Sequence, residues 1–178
     1  MKPTGPRSPR RSKTLHALIL AGSIVVGAAP ASAAVNAYLY LDGIPGPSTS
    51  KAGFIDILSY SVGVALADPT KTQKAVCSNL ALMKVVDFTS PKLFQAALAG
   101  KPLATATLVY DKPVGDRQED YYSVTLTNVY ITSVQQSGSN ENPTESLSLA
   151  AKTVTISYRP EKDDGSLDNP IVTTLTCP

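Results

Sequence analysis

"TESLSLAAKTVTISY", residues 144–158, alternates apolar and polar side chains but does not keep its apolar residues on one face. Leu147, Leu149 and Ala151 hold odd positions, whereas Val154, Ile156 and Tyr158 hold even ones. Alternation with a period of two belongs to a β-strand buried on one side. The change of side near Ala150–Ala151 predicts a slip of one residue, as a β-bulge or barrel corner produces. It also fits a strand whose first half faces its own core and whose second half faces a neighbouring subunit.

Similar alternation recurs in both directions along the chain. "VNAYLYLD" (35–42), "GFIDILSYSVGV" (53–64), "VCSNLALMKVV" (76–86), "LATATLVY" (103–110), "DYYSVTLTNVYITSV" (120–134) and "PIVTTLTC" (170–177) all read as strands separated by Gly, Pro, Asp and Asn. Together with 144–158 they predict a mainly β sandwich or barrel of about seven antiparallel strands. "SPKLFQAALAGK", residues 90–101, breaks the pattern. Ser90 is a candidate N-cap, Pro91 suits the first helical position and Gly100 the left-handed C-terminal residue. A short α-helix is expected there, with Leu93, Phe94, Ala97 and Leu98 on the side that plugs or flanks the barrel.

The N-terminus reads as an export signal. Lys2, Arg7, Arg10, Arg11 and Lys13 precede the apolar run Leu15–Ala29, and Ala31-Ser32-Ala33 offers the small residues a signal peptidase accepts. Cleavage is expected between Ala33 and Ala34, giving a signal peptide at 1–33 and one domain at 34–178. The run is too short for a retained span, which needs roughly 20 apolar residues. The residues after Arg10-Arg11 favour general secretion over the twin-arginine route. An exported chain, periplasmic or extracellular, has no stable membrane insertion after cleavage.

Cleavage changes the chemistry available. Five of the 16 Lys and Arg leave, so 11 remain against 14 acids and the mature charge is −3. A nucleic-acid partner has no electrostatic footprint in such a chain. His16, the single histidine, also leaves. That removes Ser–His and Cys–His nucleophile pairs and any histidine-containing zinc or iron site. Acidic turns at Asp116, Glu119 and Asp120 and at Glu161, Asp163, Asp164 and Asp168 offer oxygen ligands, but not at the spacing of a known calcium loop. A glycosidase carboxylate pair is disfavoured because the chain lacks Trp to stack a sugar. No catalytic residue, cofactor or metal site is expected, and the protein reads as a non-enzyme. Tyr38, Tyr40, Tyr121, Tyr122 and Tyr130 suit either an interaction surface or cross-strand packing.

"DILSYSVGV", "KAVCSNLALMKVVDFTSPKLFQAALAGK" and "SVTLTNVYITSVQQSGSNENPTESLSLAAKTVTISYRPEKDDGS" resemble successive blocks of the haemolysin-coregulated protein (Hcp) family, the tube proteins of type VI secretion. The most specific pieces are "VDFTSPKL", "ITSVQQSG", "PTESLSL" and "YRPEKDDGS". The resemblance implies a small β-barrel with one flanking helix that forms homohexameric rings. In that family rings stack into a tube, a contractile sheath propels it, and the lumen holds small effector proteins.

This chain departs from the family pattern in several places. The family carries a glycine-rich loop where rings meet. Here that position is Leu66, Ala67, Asp68, Pro69, Thr70, Lys71, Thr72, Gln73, Lys74 and Ala75, without glycine. Val62 and Ala150 stand where the family has Trp and Phe, removing apolar bulk. A cleavable signal would also place assembly outside the cytoplasm, beyond the sheath.

Cys77 and Cys177 form an even pair in an oxidising compartment, and one disulfide is expected. Two buried thiols or a bond between subunits are the alternatives. Within one chain the bond would close a loop of roughly 100 residues, for which the chain-entropy model gives about 4.7 kcal/mol. Two functional readings follow. One is an exported ring subunit whose partners are copies of itself, effectors or spike components. The other is a monomeric secreted barrel acting as a carrier, inhibitor or adhesion domain.

Overall fold

The computed structural model describes Met1 and residues 35–66, 76–139 and 142–177. The expected signal peptide, the Ala33–Ala34 cleavage site and Ala67–Ala75 of the expected ring-stacking loop lie outside these residues. The described chain forms β1 (Asn36–Leu41), β2 (Ile55–Ile57), β3 (Ser59–Ser61), β4 (Val64–Ala65), β5 (Val76–Cys77), β6 (Leu80–Val85), α1 (Ser90–Ala99), β7 (Leu103–Val114), β8 (Arg117–Ser137), β9 (Thr144–Tyr158) and β10 (Ile171–Thr176).

Seven strands run in the order β2-β1-β7-β8-β9-β6-β3, each pairing antiparallel, and β10 pairs β9. Only Leu58 separates β2 from β3, so the two ends of this path meet and the barrel nearly closes. The Leu58 N–H donates to the Met83 carbonyl at 2.8 Å, tying the closing corner to β6. Inside lie Leu39, Leu41, Ile55, Leu80, Leu82 and Leu108 with Leu126, Leu147 and Leu149, all essentially inaccessible to solvent. Burying each such side chain contributes about 1.5–3 kcal/mol.

The stretch 53–64 is not one strand. Ile55 and Ile57 point inward, Leu58 is exposed, and Tyr60 and Val62 then take the inner side. The barrel corner falls where the apolar parity shifts. Likewise 76–86 divides at Ser78–Asn79, so β5 belongs to a separate two-stranded hairpin with β4. β7 continues past Tyr110 to Val114, through Pro113. Pro113 is tolerated because β1 pairs β7 only as far as Asp111.

The change of face in 144–158 is a corner shared by two strands. β9 keeps continuous register with β8 across it, from Tyr130↔Ala150 through Thr127↔Thr153. Val124 and Leu126 face inward before Asn128, and Val129 and Ile131 after it. Asn128 supplies the turn of the chain with φ +54°, a conformation that asparagine tolerates. The pair therefore rotates as a unit, and Leu149 and Val154 are both buried. The bulge lies in the partner strand, where Thr132 is the extra residue between Ile131 and Ser133.

Helix α1 spans Ser90–Ala99 and ends at Gly100 with φ +61°. Thr89, not Ser90, occupies the N-cap, without a side-chain cap bond. The Ser90 hydroxyl is engaged instead by the Asp87 N–H at 3.2 Å. The buried side is also narrower than Leu93, Phe94, Ala97 and Leu98. Leu93 is buried with Ala96 and Ala97 against the core, whereas Phe94 is exposed and Leu98 is 91% exposed. One helical stripe at 3.6-residue spacing can meet the barrel, and Phe94 and Leu98 belong to the next stripe.

Candidate functional site

Alternation in β6 places Lys84 on the inner side with Leu80 and Leu82, and in β9 it places Glu145 there with Leu147 and Leu149. Lys84 and Glu145 face each other in register, and both side chains are fully buried. The Lys84 Nζ donates to Glu145 Oε1 at 3.2 Å, to Ser90 Oγ at 3.2 Å and to the Val85 carbonyl at 3.0 Å. It also lies 3.2 Å from Asp87 Oδ2, and Gln136 Nε2 donates to Glu145 Oε2 at 2.8 Å. This network fastens the start of α1 to the β6–β9 seam. No buried side-chain nitrogen or oxygen among the described residues lacks a partner, so the chemistry of this network is positional. The sequence reading missed it, although a lysine at the parity of two buried leucines was a legible signal.

Several carboxylates of the acidic turns are paired within the fold. Glu161 pairs with Lys112, Glu119 with Arg159 at 3.3 Å, and Asp120 with Lys51 at 2.6 Å. The Ser166 hydroxyl and N–H both donate to Asp164 and hold its carboxyl below the usual carboxylate range. Among the described residues no three acids, histidines or cysteines gather as a metal site.

The tyrosines divide between the two expectations. Tyr38 is buried with the Lys51 ammonium 5.6 Å from its ring centroid, and Tyr40 packs on Phe54. Tyr122 joins Tyr60 and Tyr110 in a ring cluster, where burial pushes the Tyr60 hydroxyl up to about 12. Tyr121 packs edge-on against Tyr158, while Tyr130 is exposed.

Apolar side chains are exposed at opposite ends of β9. At one end β6 pairs Thr144–Leu149 and shows Met83 and Val85 outward, followed by Phe88. At the other end β10 pairs Thr153–Tyr158 and exposes Ile171, at 65%, and Val172. Among the described residues no strand pairs the outer edge of β10, and Ile171–Thr176 carries no charge. Such an edge is a template for pairing with another chain. Phe94 and Leu98 add exposed apolar surface on α1.

A disulfide joins Cys77 to Cys177 within the chain, with Cα atoms 5.5 Å apart. It links β5 to the end of β10. Val62, Val154, Ile156 and Leu175 line an apolar cleft of about 70 Å³ beside it. A second space of about 110 Å³ adjoins Val62, Ala150 and both cysteines. The two positions expected to lack aromatic bulk therefore border the same region. Leu66, the described residue of the expected ring-stacking loop, follows β4 and is exposed.

The sequence profile described as "Type VI secretion system effector, Hcp" matches residues 38–158. "Protein hcp1" of Pseudomonas aeruginosa is 30% identical over 145 residues, covering 76% of this chain and 90% of that one. A solved "type six secretion system protein" superposes with a TM-score of 0.70 at 28% identity, covering 80% of this chain and 96% of that chain. Hcp1 from Salmonella typhimurium superposes with a TM-score of 0.68 at 25% identity, covering 80% and 95%.

Proposed function

Because the chain belongs to the Hcp family of type VI secretion, we propose that it is an exported structural subunit that assembles into hexameric rings. One observation carries the assembly reading: exposed apolar side chains lie at opposite ends of β9, and at one of them β10 presents an edge that no other described strand pairs. A closed ring uses two different surfaces, since each subunit offers one and receives another, and the two ends of β9 supply such a pair. Residues 66–75 would carry ring-to-ring stacking. Small effector proteins would occupy the lumen, and spike components would meet the end of a stacked tube.

Export rests on the basic and apolar segments of residues 1–33 and the Ala31-Ser32-Ala33 cleavage sequence. The intrachain disulfide supports an oxidising destination, periplasm or medium. No helix among the described residues is long and apolar enough to cross a membrane.

The test is the native mass of the exported, unreduced protein by analytical ultracentrifugation, with negative-stain imaging of the same sample and N-terminal sequencing. Annular particles near six chains, beginning at Ala34, are the expected result. A monomer over a wide concentration range would reject ring assembly in favour of a secreted binding module. An intact N-terminus would reject cleavage.

A further inference from the structure

The hairpin β4–β5 stands apart from the barrel sheet. It consists of two residue pairs, Val64↔Cys77 and Ala65↔Val76. Val64, Leu66 and Val76 are exposed, and none of its side chains belongs to the fully buried core. Its base is closed by the Ser78 N–H and hydroxyl, which donate to the Gly63 carbonyl at 2.8 and 3.0 Å. β10 keeps a six-residue ladder with β9 but buries little side-chain surface, with Leu175 its single partly buried residue. These two elements are joined covalently by Cys77–Cys177.

The surroundings set limits on any motion there. Asn79 Nδ2 donates to Thr132 Oγ1 at 3.0 Å and to Ser148 Oγ at 3.2 Å, and Ser61 pairs with Ala81. Both ends of the hairpin are thus anchored on the barrel at residues 61 and 79. Between hairpin and β9–β10 lies the apolar cleft of about 70 Å³, which brings few packing atoms across the junction. Both cysteines are half-buried.

We propose that Cys77–Cys177 is a thiol–disulfide exchange site whose reduction releases the β4–β5 arms and β10 from one another while the barrel stays folded. The reductant is a dithiol, small or protein-borne. One of its thiolates attacks a cysteine sulfur, the S–S bond breaks, and the other cysteine leaves as a thiolate that takes up a proton. The second thiol of the reductant then displaces the bound protein sulfur. Two electrons and two protons pass to the protein, which gains two thiols, and the dithiol becomes a disulfide. The fully buried residues of β1 and β6–β9 pack against one another independently of the bond, so the structural response is confined to the hairpin and β10, which touch the core only through Val62, Leu175 and Cys177. The inference goes beyond ring assembly and does not depend on it.

Hydrogen–deuterium exchange of the full oxidised chain, with and without dithiothreitol, tests the proposal, with reduction followed by intact mass after thiol alkylation. Reduction without denaturant is expected to speed exchange in residues 62–66, 76–78 and 171–177 by about tenfold or more relative to β7–β8. The Cys77→Ser/Cys177→Ser double variant should show the same pattern without reductant. Unchanged exchange in those segments after complete reduction would overturn it. So would loss of protection throughout β7–β8, or a disulfide that resists dithiothreitol until the chain is denatured. Native mass measured in parallel reads ring assembly separately.

Discussion

Lys84 shows how a single charged side chain can decide where an element docks. Buried opposite Glu145, it supplies the counter-charge to a carboxylate whose other oxygen accepts from Gln136. Replacing one partner of such a pair costs about 3–5 kcal/mol, mostly for the charge left behind. Lys84→Met should therefore lower the urea midpoint strongly, and the double variant Lys84→Met/Glu145→Leu should recover much of the loss. A double variant no more stable than the single would show that the network matters for packing rather than charge. Tyr60 makes a second residue-scale prediction. Its hydroxyl is raised from 10.0 to about 12 by burial, with help from the Tyr122 hydrogen bond. The folded state thus retains a proton that the unfolded state releases above pH 10, so stability is complete below pH 10 and falls as pH rises toward 12. Tyr60→Phe should flatten that alkaline decline in a pH series of urea titrations.

At the scale of the element, α1 separates a structural stripe from a surface one. Leu93 is fully buried, and Leu93→Ala should destabilise by about 2–5 kcal/mol, the range for a core leucine. Leu98 is 91% exposed, and Leu98→Ser should change monomer stability by no more than about 0.5 kcal/mol. Thermal melts of the two variants check the contrast, and a large loss at Leu98 would place it in a contact that the single chain does not show. The helix itself was legible from Pro91 and Gly100, because both act through local backbone geometry. Which apolar residues it buries was not. Leu93 and Phe94 are neighbours in sequence, and only the tilt of the helix on the barrel tells them apart. The strands divide the same way. The alternation read over 35–42 and 76–86 contains β1 and β6, whereas β7 runs through Pro113 because no neighbour on one side requires that N–H.

For the molecule as a whole, the disulfide is the covalent constraint of longest reach, joining residues 100 positions apart. The chain-entropy model assigns about 4.7 kcal/mol to a loop of that length, a large part of the 5–15 kcal/mol typical of folded domains. Urea unfolding with and without dithiothreitol should show a clear fall in midpoint. If the hairpin and β10 are already loose in the reduced native state, the slope should fall too, because less surface remains to be exposed. An unchanged midpoint would mean that the bond adds strain equal to the entropy it removes. Membership of the Hcp family was legible from "VDFTSPKL" and "PTESLSL", and the fold gives those blocks a joint purpose. The first contains Ser90 and Asp87, the second Glu145, and all three meet at Lys84.

The sequence by itself determined what depends on near neighbours: strand periodicity, the helix and its left-handed end, the pairing-competent cysteines, and the lack of histidine chemistry after residue 33. Tertiary structure alone decided what depends on register. It set Lys84 against Glu145, 61 residues away in the chain, turned β8 and β9 together at Asn128, and placed β10 on the outer side of β9. The reason is physical. A two-residue period says which face a side chain occupies, but not which strand lies alongside. That second choice is made by closing the barrel, where all pairings must be satisfied at once.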